Sequence, residues 1–294
     1  MYNITHHQEL NTLEISNLDK SVFAKIYLKA GASLQELTLG GHAIIQDLSP
    51  LNYSDTYSSS ILFPFANRIK DGVYSFNGKT YQFEANQKEE NNALHGLVYN
   101  KTFKIINKSA DNNSASVTLE YNENKEAAGF PYTYKIQLEY TLTRTNLDLK
   151  VSVKNTSLKI FPFTLGWHPY FTSDDLKKSV IKMESTQKLI IGDRNITTGI
   201  EDITPLNTFN IEDKQLDDCW VLNTGNVSFN TPKYKLQIGS TGKKNFLQAY
   251  TPPRLNTIAI EPTTGVSDSF NNNIGLETLE PNETHTITWN LKID

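Results

Sequence analysis

The chain of 294 residues predicts an all-β protein whose sheets pack face to face. Three observations carry this. Apolar and polar residues alternate with period two over long stretches, the chain is rich in aromatic residues, and sustained helical periodicity is missing. Aromatic residues make up 11% of the chain, with 14 Tyr, 14 Phe and 3 Trp. Such side chains suit a pleated, half-buried surface. Strands that bury one face each must cover it with another sheet.

The clearest alternation runs through Tyr134, Ile136, Leu138, Tyr140 and Leu142, with Lys135, Gln137, Glu139, Thr141 and Thr143 between them. After Arg144-Thr145-Asn146 it resumes with Leu147, Leu149, Val151 and Val153. This is the pattern of a long antiparallel hairpin with one buried face. Ile287, Trp289, Leu291 and Ile293 repeat it at the C-terminal end. A second hairpin is expected at Asn77-Gly78, which readily takes positive φ at both turn positions, between Val73–Phe76 and Thr80–Phe83. Further strands are expected at Val22–Leu28, Ala115–Tyr121, Lys188–Ile191, Tyr234–Ile238 and Thr257–Ile260, and one short helix near Ser54–Ser60. No linker, repeat or boundary is visible, so residues 1–294 are read as a single domain.

The net charge of −4 offers no basic face for nucleic acid. Cys219 is the only cysteine, so no internal disulfide forms. No apolar run spans a bilayer and no secretory leader is evident, and the expectation is a soluble, cytoplasmic protein that does not engage membranes. Phosphate loops, dinucleotide fingerprints, HExxH pairs and nucleophile elbows are absent. His6-His7 is read as a solvated pair near a flexible terminus rather than a metal site, since catalytic zinc normally needs three protein ligands.

Five polar segments set among aromatics, Pro and Gly are candidates for function, because loops on a rigid β scaffold usually carry it. They are Phe63–Ile69, Asn92–Gly96, Gly166–Phe171, Leu216–Trp220 and Ile260–Gly265. Each also has a purely structural reading. Arg68 could pair with a surface carboxylate, His95 could serve a turn, His168 could pack in the core, Asp217-Asp218 could be a turn, and Glu261 could end a strand.

Taken together and in order, the segments resemble the aldose 1-epimerases, also called galactose mutarotases. The resemblance rests on Asn67-Arg68-Ile69, the Gly72–Gly78 hairpin, Leu94-His95-Gly96, the Leu247–Thr251 stretch and the Glu261 strand, and runs from about Phe23 to the end of the chain. It implies a large antiparallel β-sandwich that interconverts the α and β anomers of a hexose by acid–base ring opening. It also implies general acid His168, general base Glu261, and His95 on the ring-oxygen side. Arg68, Asn67 and Asp217 would hold sugar hydroxyls, with spacing to Trp220 favouring Asp217 over Asp218. Trp167, Trp220 or Tyr170 would stack on the sugar, or else belong to the core. No cofactor or metal is implied, the partner is a monosaccharide, and the protein would act as a monomer or homodimer. The sequence departs from the best-known branch at Trp167, Pro169, Pro262 and Leu97, which leaves the preferred sugar open.

In this chemistry the C1 hydroxyl loses a proton while the ring oxygen gains one. A histidine titrating near neutrality and a buried glutamate suit those transfers. The expectation is therefore that His168 and Glu261 point into one cleft about a sugar ring apart. Three alternatives are carried forward: a hexose 6-phosphate or unusual sugar as substrate, a non-catalytic carbohydrate-binding module, and a glycosidase using Glu261 with Asp217.

Overall fold

The computed structural model describes residues 1–294. It is an antiparallel β-sandwich. The N-terminal strands Tyr2–His7, Thr12–Asn17, Phe23–Tyr27, Ser33–Leu39 and His42–Ile45 form a five-stranded meander. Against it lies a fifteen-stranded sheet, which runs from the edge strand Lys104–Ala110 through the central hairpins to Thr284–Ile293. It then continues through Val180–Ile191, Asp217–Val221, Phe246–Tyr250 and Thr257–Thr263 to Ile61–Leu62. No helix is long and apolar enough to cross a membrane.

The predicted long hairpin is present as Tyr134–Leu142 paired with Asn146–Asn155, in register from Tyr134↔Asn155 to Leu142↔Leu147. Its alternating apolar residues are buried in one cluster of 61 side chains that also takes in Ile15, Ala24 and Leu37 from the N-terminal sheet. Burying each large apolar side chain contributes about 1.5–3 kcal/mol. The two layers are thus held by the period-two pattern itself. The Asn77-Gly78 turn also forms, with φ of 49° and 72°, joining Val73–Phe76 to Lys79–Gln82.

Two expectations differ from the structure. The helix near Ser54–Ser60 is only Tyr53–Thr56. It stops because the next residues are needed elsewhere: the Ser59 amide donates to the His168 carbonyl at 2.8 Å, and the His168 amide donates to the Ser60 carbonyl at 3.1 Å. Cross-chain bonds of this kind replace the helical ones. His6 and His7 are not in a loose tail but in a paired strand, with His7 Nε2 3.3 Å from Glu14.

The long edge strand Thr197–Asn210 escapes the period-two reading. It is largely exposed on both sides, so nothing enforces alternation, and it tolerates Pro205 because an edge strand leaves amides unpaired.

Leu138 is fully buried at the centre of the hairpin. Leu138→Ala is expected to cost about 2–5 kcal/mol of unfolding free energy, measured by urea denaturation. A loss below about 1 kcal/mol would show that the site collapses around the gap.

Candidate active site

The site begins with strand register. Cys219 pairs with Gln248, and Gln248 with Glu261. On the far side of the Thr257–Thr263 strand, Gly166 pairs with Thr263 and Tyr170 with Ala259. Carrying that register through the unpaired residues between them puts His168 directly opposite Glu261. Residues facing each other across antiparallel strands share a face and lie within side-chain reach. Cys219, Gln248, Glu261 and His168 therefore form one row, and Asp217, Tyr250, Ala259 and Tyr170 form the next.

His168 Nε2 lies 3.4 Å from Glu261 Oε1. The two residues are only 5% and 3% exposed. This spacing is much shorter than the sugar-ring separation expected from the sequence. Burial dominates the protonation of both groups. It holds the Glu261 carboxyl well above the usual carboxylate range, an effect increased by the charge of Asp217 and opposed by Arg68. It pushes the His168 imidazole down to about 4. The distance alone would suit an ion pair, but desolvation penalises both charges. Burial therefore favours the uncharged form of each group, the imidazole without its titratable proton and the carboxyl with it.

The remaining residues converge on this pair. Arg68–Lys70 and Asn92–Leu94 form a two-stranded ladder that brings Arg68 and His95 alongside each other. The His95 amide donates to the Asn67 carbonyl at 2.8 Å. Both residues have left-handed backbone, φ 60° at Asn67 and 61° at His95, a conformation that asparagine and histidine tolerate better than most. Gly96 is obligatory, since a Cβ there would lie 2.2 Å from the Phe63 carbonyl oxygen. The His95 ring stands edge-on to His168 at 5.0 Å and to Tyr57 at 4.8 Å. Burial, then the neighbouring His168 and Arg68, hold it well below the usual imidazole range.

Arg68 donates from NH1 to Asn67 Oδ1 at 2.9 Å and from Nε to Glu90 Oε2 at 3.1 Å. Asp217 accepts from Gln248 Nε2 at 2.6 Å. Burial raises the Asp217 carboxyl above its ordinary range.

Strand parity separates the aspartates. Asp217 lies on the face of Glu261, while Asp218 points the other way and pairs with Lys188. The same parity removes Trp167 from the site. It is fully buried and stacks on Trp289 at 6.3 Å, so the expectation that it platforms a sugar is corrected. Tyr170 also needs correction. Its ring stacks on His168 at 4.9 Å, its hydroxyl donates to the Thr56 carbonyl at 3.2 Å and it is only 2% exposed, so it backs the imidazole.

Gln248, Tyr250, Glu90 and Tyr57 join the site without having been singled out by sequence. Gln248 and Tyr250 alternate within the Leu247–Thr251 motif, a usable signal; Glu90 and Tyr57 lie in segments with none. Nowhere do three or more His, Cys, Asp or Glu side chains converge to hold a metal ion. A hollow of about 410 Å³ lies elsewhere, bounded by Lys182, Glu184, Asn226, Gln237 and Asn290; His168 and Glu261 lie outside it.

A sequence model of the family described as aldose 1-epimerase matches residues 14–292. The uncharacterized protein YihR of Escherichia coli K12 is 22% identical over 278 residues, covering 89% of this chain and 87% of its own. The fold is shared with a galactose mutarotase-like protein from Clostridium acetobutylicum, with a TM-score of 0.87, 20% identity, and coverage of 100% of this chain and 98% of the other. Galactose 1-epimerase from Lactobacillus acidophilus superposes with a TM-score of 0.81 at 20% identity and the same coverage.

The buried pair makes stability depend on pH. The folded pKa of Glu261 is raised, so its contribution is full below the unfolded value near 4.3 and is lost as pH rises towards the folded one. Glu261→Gln should therefore gain stability over the native chain at neutral and alkaline pH. The folded pKa of His168 is lowered, so its contribution is full above the unfolded value near 6.5 and is lost as pH falls towards 4, on the order of 3 kcal/mol. His168→Asn should flatten that acid limb. Urea midpoints taken from pH 4 to 8 test both; slopes identical to the native chain would contradict the neutral pair.

Proposed function

Since the chain belongs to the aldose 1-epimerase family, we propose that it interconverts the anomers of an uncharged hexose, using His168 and Glu261 as the proton-transfer pair. The observation that carries this reading is the buried contact of 3.4 Å between His168 Nε2 and Glu261 Oε1.

Ring opening requires one proton to leave the C1 hydroxyl and one to arrive at the ring oxygen. A pair that jointly holds a single proton is matched to that exchange. With bound sugar in contact with both groups, the proton resides on His168 and Glu261 is a carboxylate. Glu261 takes the proton of the C1 hydroxyl while His168 gives its own to the ring oxygen. The bond between C1 and the ring oxygen breaks, and its electron pair goes to that oxygen. The open aldehyde turns about C1–C2, and the reverse transfers close the ring on the other face. The pair regains its starting state without any net gain or loss of protons. Each positioned transfer contributes about 10²–10⁴-fold.

His95, packed edge-on to His168, limits the swing of the acid and faces the ring-oxygen side. Arg68, Asn67 and Asp217 grip hydroxyls remote from C1, where oriented charged hydrogen bonds fix the sugar and leave C1 free to rotate. A neutral aldose fits better than a sugar phosphate, because the charge of Arg68 is offset by Glu90 and Asp217 adds a further carboxyl beside it.

Polarimetry on freshly dissolved α-D-glucose and α-D-galactose should show accelerated equilibration. His168→Asn and Glu261→Gln should each lose about 10²–10⁴-fold while keeping native circular dichroism. Equilibration no faster than in buffer would overturn the assignment.

A further inference from the structure

Arg68, at the start of the short strand Arg68–Lys70, is tethered along one edge of its side chain. Its Nε–H is shared between Glu90 Oε2 at 3.1 Å and Gln87 Oε1 at 3.2 Å, and one NH1 proton goes to Asn67 Oδ1. The other protons of both terminal nitrogens have no acceptor in the protein. The guanidinium is thus fixed by its Nε edge, with its outer edge free. Arg68 pairs with Leu94 beside His95, and its charge acts on Glu261, Asp217, Tyr250 and His95, so the guanidinium borders the site.

Glu90 is held on every side by donors. Oε2 also accepts from Asn92 Nδ2 at 3.3 Å, and Oε1 accepts from Asn195 Nδ2 at 3.0 Å. Its backbone carbonyl accepts from Arg194 NH1 at 3.1 Å, and Arg194 is itself paired with Asp71 at 2.8 Å. Arg194 and Asn195 form the turn joining strands Val180–Ile191 and Thr197–Asn210. Both have left-handed backbone, φ 56° and 57°. Such strain persists where surrounding contacts over-determine it. Here those contacts are Glu90, Asp71, Asn92 Nδ2 on the Arg194 carbonyl at 3.1 Å, and Ser267 Oγ on the Asn195 carbonyl at 2.8 Å.

We propose that Glu90, locked by Asn195 from the tip of the 180–210 hairpin, is a positioning residue that aims the free edge of Arg68 at the sugar. The proposal rests on the reading above in one respect: that Arg68 grips sugar hydroxyls. A carboxylate suits position 90 best, since Arg68, Asn92 and Asn195 all donate to it, while Asp217 is the acidic group that feels its charge. An amide there would set its own NH₂ against one of those donors.

The test compares Glu90→Ala, Glu90→Gln and Asn195→Ala with the native protein, by polarimetric kinetics and by calorimetric binding of D-galactose and D-glucose. Glu90→Ala should raise KM and weaken binding by roughly tenfold, as expected for a misaligned charged hydrogen bond, with kcat within about twofold. Glu90→Gln keeps one acceptor and should fall between Ala and native. Asn195→Ala should move KM in the same direction by less. Removing the carboxylate also leaves Arg68 uncompensated beside Asp217 and Glu261, so the pH profile of kcat/KM should shift towards acid. A purely structural ion pair would not do this.

Glu120→Gln serves as control. Glu120 is similarly part-buried and pairs with Lys135 at 3.4 Å on the distant hairpins, so it should lower stability without changing KM or the pH profile. If the Glu90 variants behave like Glu120→Gln, with native KM, native binding and native pH profile, the proposal is overturned. If the native protein binds aldose without turning it over, the functional reading fails, and weakened binding in the Glu90 variants still supports the positioning role. A native protein that binds neither sugar overturns both.

Discussion

The structure turns on one contact: a buried imidazole and a buried carboxyl, 3.4 Å apart. Neither group is in a favourable place by itself. Burial of a charge is costly, and each escapes the cost by staying neutral, the carboxyl by keeping its proton and the imidazole by giving one up. Around the pair the protein adds limited compensation: Arg68 favours the charged form of Glu261, and Asp217 opposes it. The pair thus costs stability locally, and the large aromatic and aliphatic core beneath the sheet supplies what it does not.

Sheet register is what holds that contact together. His168 and Glu261 face each other because short ladders on both sides of His168 bind to the same strand, at Thr263 and at Ala259. The pleat then sorts every neighbour. Alternate residues go to the site, as Asp217, Gln248 and Tyr250 do. The residues between them, Trp220, Leu247 and Ala249, go to the core. A slip of one residue in any of these strands would exchange the two sets.

The second wall of the site is built differently. Arg68 and His95 come from a minimal ladder flanked by left-handed residues and a glycine with no room for a side chain. Ladders this short cannot set side-chain direction unaided. Side-chain bonds do so instead, with Asn67, Glu90 and Gln87 on Arg68 and the ring of Tyr57 against His95. The hairpin tip at Arg194–Asn195 reaches this wall from the far end of the edge strand, so a segment with little sequence pattern contributes to the geometry of the candidate site.

Sequence by itself determined the strands with clear alternation, such as Tyr134–Leu142 and Asn146–Asn155 with their buried faces, and it offered candidates for acid, base and grip. These depend on local alternation and on short motifs, both of which a single chain displays. It could not determine the spacing of His168 and Glu261, the choice between Asp217 and Asp218, or the fate of Trp167 and Tyr170. Each of these depends on which strand lies beside which and in what register, a relation between distant segments that no local pattern encodes. Glu90 marks the limit most clearly. Its neighbours in the chain are polar and unremarked, and it acquires a role only when Arg68, Asn92 and Asn195 are folded against it, because hydrogen-bond complementarity is a property of assembled groups.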